Sequence, residues 1–517
     1  PFQWKRWSED NPKKLGELRL IIDPDHTGGN APCNCDEIHQ FYGLRKTHDI
    51  WVLFLPFTFK DGPNFPADLS TPNKWTNFDR WRILDFKPWF NGMYPLRERG
   101  FDTRYMSNLR KNISAKYKDE TIWAHDLASY SAMAWENRSK IIVKLFYRGS
   151  LAAILGKYDR TVLMVHPDIL LNETGSRSVG WALGISQPTD AFKRCVLVAW
   201  DDRNNAAAHE IGHTYGLDES YLAGQKNKSI GYWVNKKIDK TNDKDVMYFV
   251  TPIANCWIKK PNYKILYKRL SEERDPEVLV ITGYIHKDDE IELTPWYQID
   301  GFIDIEWGNL TDREYIVRGY DGNGALLNES GFNVNLNMIM DYVGGVEIDQ
   351  AFFNFRVEYL NGLHRVDILK ASDNQVLASK TRSQNTPQVT ITNPSEDDEI
   401  KPEIHEITWM GSDQDGDPLT YSVLFSNNSG LNWGIIEIET TETNCEADFR
   451  YLTKGEYQLK VIATDGWNTD EDVINFTIKK GKDRSKAVNL QLLEYFSQPF
   501  PYLFPILQIL FQRLGLQ

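Results

Sequence analysis

From about Pro276 to Lys480 the chain is written in short runs that alternate apolar and polar residues, and this texture restricts that half to strands. EVLVITGYI (277–285), REYIVRGYD (313–321), FNFRVEYL (353–360) and HRVDILKAS (364–372) follow one another, with DGNG (321–324) and NG (361–362) as turns between them. A period of two aims alternate side chains at one face, which has to be buried against a second sheet. NTP (385–387) opens a second stretch of the same kind, with VTIT, EITWMGSD, LTYSVLFS, YQLKVIATDG and INFTIKK as its strands. Two all-β sandwich domains are expected, 276–384 and 385–480, with a linker near residues 381–388.

Residues 1–272 read differently. IWVLFLPF (50–57), KIIVKLFY (140–147), TVLMVHP (161–167) and CVLVAW (195–200) are short apolar runs that predict strands. FDTRYMSNLRKNISAKY (101–117) and NNAAAHEIGHTYG (204–216) predict helices, so this part is expected to be an α+β domain. A chain of 517 residues has room for about three domains. Residues 481–517 are a polar linker, GKDRSKA, followed by an apolar helical tail that Pro499, Pro501 and Pro505 interrupt before a helix reaches the length of a bilayer.

Composition narrows the function. A net charge of −13 offers phosphate backbones no attraction, so nucleic acid is not an expected partner. With a mean hydropathy of −0.49, no transmembrane span is expected. Five cysteines, Cys33, Cys35, Cys195, Cys256 and Cys445, are too few and too scattered for a disulfide-dense scaffold. Glycosylation acceptor patterns at Asn112, Asn137, Asn172, Asn227, Asn309, Asn328, Asn427 and Asn475 suit a secreted or cell-surface glycoprotein, whose signal peptide is expected to lie outside a sequence that starts at Pro1. Asn-rich and Ser/Thr-rich composition produces such patterns as well.

Residues 209–219 read HEIGHTYGLDE. His209 and His213 lie four apart on the expected helix, so both imidazoles leave one face and can hold a single zinc ion. Glu210 is aimed elsewhere and can act on the water that zinc activates. Gly216, three residues after His213, can adopt positive φ and turn the chain back. Asp218 and Glu219 then follow, and either carboxylate completes three protein ligands with a fourth position left for water.

This stretch resembles the extended zinc signature of the metzincin metalloendopeptidases, and KDVMYF (244–249) resembles their Met-turn, with Met247 as the methionine under the metal. The resemblance implies His209 and His213 as the first two ligands, Glu210 as general base and Glu219 at the third-ligand position. There the sequence departs from the pattern, which has His or Asp at that place; Asp218, one residue early, is the alternative. Tyr248 and Tyr221 are candidates for reaching the metal or steadying an oxyanion, and packing is the other reading of each. The resemblance also implies that CVLVAW borders the cleft and pairs with an extended substrate. NCWIKKPNYKILYKRL (255–270) is expected as a closing helix that buries Trp257, Tyr263 and Leu266.

Weaker signals remain. Cys33, Cys35 and His39 lack a second ligand pair at a fitting distance, and His166, ending a strand, reads as a structural histidine. Asp413, Asp415 and Asp417 alternate in one turn and Asp465 stands in another; together they offer the oxygens that Ca²⁺ takes, although Asp-Gly-Asp-Pro is also ordinary turn chemistry. Residues 385–480 resemble the immunoglobulin-like and fibronectin type III-like modules of secreted microbial proteins. The expectation is an exported zinc metalloendopeptidase acting on protein or peptide substrates. The alternative is a surface adhesion protein that keeps the fold without turnover and holds a glycan or cell-envelope partner through its sandwiches.

Overall fold

The computed structural model describes chiefly residues 49–61, 120–172, 194–199, 206–217, 277–301, 303–310, 313–340, 344–450 and 452–479, with short strands and single residues between them. In chain order, the N-terminal part supplies β1 (Ile50–Phe59), β2 (Phe101–Tyr105), helix α1 (Trp135–Leu155), β3 (Arg160–Val165), β4 (Gly180–Ala182), β5 (Cys195–Ala199) and helix α2 (Ala206–Thr214). β1, β2, β3 and β5 run parallel, in the order β2-β1-β3-β5, and β4 closes on β5 antiparallel. Strands covered on both faces lose the apolar–polar alternation, which is why IWVLFLPFTF and RTVLMV are apolar almost throughout and buried along nearly their whole length. Successive β4 residues touch the two helices. Trp181 meets Trp135 of α1, and Gly180 meets Glu210 of α2, so α1 and α2 cover opposite faces.

Two expectations fail here. KIIVKLFY (140–147) is not a strand but the middle of α1, a 21-residue helix. Its apolar run is helical because the helix is wrapped nearly all round: β3 and β5 lie on one side, the first β-sandwich on the other. FDTRYMSNLRKNISAKY (101–117) is not a helix. It forms β2 and the strands Leu109–Lys111 and Ile113–Tyr117, the first two pairing with β1 and the third with Glu120–Ala124.

The C-terminal half is β throughout its described residues. Its first part contains β6 (Glu277–His286), β7 (Tyr315–Tyr320), β8 (Leu326–Phe332), β9 (Asn337–Met340), β10 (Gly344–Glu347), β11 (Gln350–Glu358), β12 (Arg365–Lys370) and β13 (Val376–Thr381). β6 and β11, with Ile291–Leu293 and Tyr297–Asp300, make one antiparallel sheet, and β8-β7-β12-β13 make a second. Leu279, Ile281, Phe353 and Phe355 from one sheet share a core with Val317, Val366 and Ile368 from the other. The alternate β6 residues Val280 and Tyr284 turn to the N-terminal part, where Tyr284 packs on Tyr147 of α1 with ring centroids 5.2 Å apart. Residues 388–478 form a three-stranded and a five-stranded sheet of their own. Among the described residues no helix is long and apolar enough to cross a membrane.

The first sandwich is joined to the N-terminal part by a buried ion group. Asp304 accepts from Arg194, just before β5, and from Arg356 of β11, whose Nε lies 3.0 Å away. Burial alone would raise the Asp304 carboxyl, but the two guanidinium groups outweigh it and hold it below the usual carboxylate range. The hairpin β9–β10 leaves the sandwich altogether. β9 pairs antiparallel with β4, so the N-terminal sheet reads β10-β9-β4-β5-β3-β1-β2.

Candidate active site

The site is built on α2. Its first turn, Ala206–Ala208, is fully buried, and these small side chains let the helix lie close on β4 and β5. His209 and His213 follow on one face, their rings edge to face with centroids 4.8 Å apart. The helix stops as the glycine predicts. Gly216 has φ +85°, its N–H donates to the His213 carbonyl at 2.9 Å, and the Leu217 N–H donates to the Gly212 carbonyl at 3.1 Å. These are the two bonds of a Schellman cap. The turn carries the Leu217 carbonyl to 2.9 Å from His213 Nδ1. A carbonyl only accepts, so Nδ1 bears the hydrogen and the ring's lone pair is on Nε2.

Arg160 of β3 grips the same turn. Its Nε donates to Thr214 Oγ1 at 2.6 Å and its Nη2 to the Thr214 carbonyl at 3.2 Å, while the guanidinium sits 3.9 Å from the centroid of the Tyr215 ring. A cation at a helix C-terminus is favoured by the exposed carbonyls there. Glu210 leaves α2 on the β4 side. A methyl group built on Gly180 would stand 2.7 Å from both Cγ and Oε1 of Glu210, so the missing side chain at 180 is the space the glutamate uses.

Gly180, Leu217 and Arg160 carry no sequence motif; each acts through a backbone or a contact between distant segments, and the only legible hint was that Gly216 turns the chain back. Asp218, Glu219, Tyr221, Met247 and Tyr248 lie outside the described residues, as do Cys33 and Cys35, while His39 is described only as part of the strand Ile38–Tyr42. Cys256–Trp257 is a short strand beside Lys244–Asp245 rather than the start of a helix, and Leu266 is buried as expected. His166 serves structure: its Nδ1 accepts from the Asp168 N–H at 3.1 Å. Asn309, Asn427 and Asn475 are exposed, whereas Asn172 is buried and closed to a glycan.

The cleft strand needs correction as well. CVLVAW contributes β5, which is interior, with β3 on one edge and β4 on the other, and so offers no edge for a substrate. β4, which lies between β5 and β9, is interior as well.

The two imidazoles, that of His213 oriented through its Nδ1, are donors of the kind that zinc takes. Among the described residues, the acidic cluster able to hold a cation is Asp413, Asp417 and Asp465, whose ligand atoms lie within 4.8 Å of one another. Asp415 does not join it. Its carboxylate turns to the linker and accepts from the Asn385 N–H at 2.7 Å and from Ser383 Oγ. Burial, with Asp413 nearby, raises the Asp465 carboxyl above its ordinary value.

No family model matches the chain, and no curated protein matches it. Among solved structures, an endo-β-1,4-mannanase from Thermotoga petrophila is similar over 20% of this chain and 21% of that one, at 18% identity and a TM-score of 0.16. An engineered protein is similar over 18% of this chain and 20% of its own, at 12% identity and a TM-score of 0.13. The chain thus spans about a fifth of each, and at these scores neither carries an argument.

Proposed function

We propose that this chain is an exported, metzincin-like zinc endopeptidase that hydrolyses protein or peptide substrates. The observation that supports it is the His209–His213 pair, one helical turn apart, in ring contact and with His213 oriented by the Leu217 carbonyl. Zinc, when bound, would supply a Lewis acid that polarises the scissile carbonyl and lowers the pKa of water towards about 7. His209 and His213 would hold it, with Glu219 or Asp218 as the third donor, and the Leu217 carbonyl orients the His213 ring. Glu210 takes the proton from the attacking water and hands it to the leaving amine. The β-sandwiches present the catalytic part to a cell-envelope or glycan partner.

One observation favours a second reading. His209, Glu210 and His213 are 3%, 1% and 0% exposed, which suits an adhesion protein without turnover as well as an enzyme in a closed state. Zinc analysis together with casein hydrolysis separates the two. The peptidase reading expects about one zinc per chain and cleavage that a chelator stops and added zinc restores; zinc-loaded protein that leaves casein intact sinks it in favour of the adhesive reading.

A further inference from the structure

Arg160 and Arg194 stand beside each other at the start of two neighbouring strands. β3 and β5 pair in parallel with Thr161 opposite Cys195, and the Thr161 N–H donates to the Arg194 carbonyl at 2.7 Å. Cys195 lies against Gly149 of α1 and Leu163 shares a core with α1, so alternation turns both arginines to the other face, where α2 ends. They are only 8% and 5% exposed. Among the described residues Arg160 nevertheless bonds only to neutral acceptors: Thr214 Oγ1, the Thr214 carbonyl and the Asp159 carbonyl, which Nη1 reaches at 2.6 Å. Arg194 reaches Asp304 through Nη2, while its buried Nε has no acceptor among the described residues.

The balance of charge points the same way. Arg356 brings a third buried guanidinium to Asp304, and the second buried carboxylate, Asp159, accepts from the Trp51 N–H at 2.7 Å. Among the described residues three cations, Arg160, Arg194 and Arg356, thus stand with two anions, Asp159 and Asp304. Burial, with Arg194 adding to it, holds the Arg160 guanidinium below its usual value and lowers that of Arg356 to about 10 in spite of Asp304. A guanidinium is seldom buried without a counter-ion, because water no longer solvates its charge, and its N–H fork is well suited to anions.

We propose that Arg160 and Arg194 form a buried site for a small monovalent anion such as chloride, set between the sheet and the end of α2. One negative charge offsets the excess of guanidinium over carboxylate, and Arg194 Nε supplies the donor that the described residues leave unused. Because Arg160 also holds Thr214, the anion steadies the last turn of α2. The site does not rest on the peptidase reading.

Chloride binding is read as stability of the full chain. Denaturant melts run from about 1 to about 200 mM chloride, with gluconate, too large for a buried site, keeping the ionic strength constant. The parent is expected to gain stability along a saturating curve, as a ligand of the folded state produces. Arg194→Met removes one cation and the unused donor, and is expected to raise the chloride concentration of half effect at least about tenfold. Chloride at a bound metal would act on both proteins alike. Crystals of the parent grown in bromide cover a variant that fails to fold, and an anomalous peak within about 3.5 Å of Arg194 Nε is the expected result. Stability that ignores chloride, an equal response in the two proteins, or a carboxylate of this chain in the bromide's place overturns the proposal.

Discussion

Glu210 lies against the backbone of Gly180, so close that a methyl group at position 180 would stand 2.7 Å from its Oε1. Gly180→Ala is therefore expected to push the carboxylate aside without touching either imidazole. A displacement of about 1 Å can cost roughly 10²-fold in rate. The expected outcome is such a loss in kcat with zinc content unchanged, measured by casein hydrolysis and metal analysis; loss of zinc together with activity would mean that Gly180 supports the helix rather than Glu210.

Gly216 holds φ +85° in the turn that brings the Leu217 carbonyl to His213. An alanine there costs about 1–2 kcal/mol in the left-handed region, and the turn relieves the strain by moving. Since partners that orient a ligating histidine are worth about 10–100-fold in metal affinity, Gly216→Ala should weaken zinc binding by about tenfold in a competition titration. Unchanged affinity would show that the Leu217 contact does not tune His213.

Arg160 ties β3 to the end of α2 through Thr214 and Tyr215. Arg160→Met keeps the bulk and leaves the Thr214 carbonyl without this buried donor, a cost of about 1–3 kcal/mol. Arg160→Lys keeps charge but not the planar fork, so it should recover only part of the loss. Denaturant melts of the three proteins check this order, and a lysine form as stable as the parent would contradict it.

Asp304 gives the acid dependence a sign. Its folded carboxyl is held below the unfolded value by Arg194 and Arg356, in spite of burial. Such a group contributes stability at pH values above the unfolded pKa of about 3.9, and the contribution is lost as pH falls through the folded value. Asp304→Asn leaves two buried guanidinium groups without their anion, a cost of about 3–5 kcal/mol at pH 7. The difference between variant and parent in thermal melts should shrink as pH is lowered below about 4; a constant difference from pH 7 to 2 would assign the loss to packing.

Much of this architecture is written in local patterns, and the failures have a common cause. Strands at 277–286, 315–320, 350–358 and 365–370 lie where the sequence places them, although 277–286 and 350–358 are buried on both faces, and α2 follows from its histidine spacing and the glycine after it. KIIVKLFY misleads because a helix covered on every side loses its polar stripe, leaving composition alone, and composition favours a strand. FDTRY misleads the other way, since its polar residues mask a strand that pairs with β1. Glu210 and the two histidines are legible because they form a spaced motif within one short stretch of sequence. Gly180, Arg160 and the strand that lies on β4 belong to segments between about 30 and 130 residues from α2, and only packing brings them there.

The peptidase reading concentrates on one carboxylate. Glu210→Gln keeps the size of the side chain and its place beside Gly180 but cannot take a proton from water. Casein hydrolysis by the two proteins, each with its zinc content and melting temperature measured, is the direct test. The expected result is a parent that cleaves and a variant at least about 10³-fold slower, with the same metal content and the same fold. A glutamine variant that cleaves as fast as the parent, or a zinc-loaded parent that cleaves nothing, contradicts the reading.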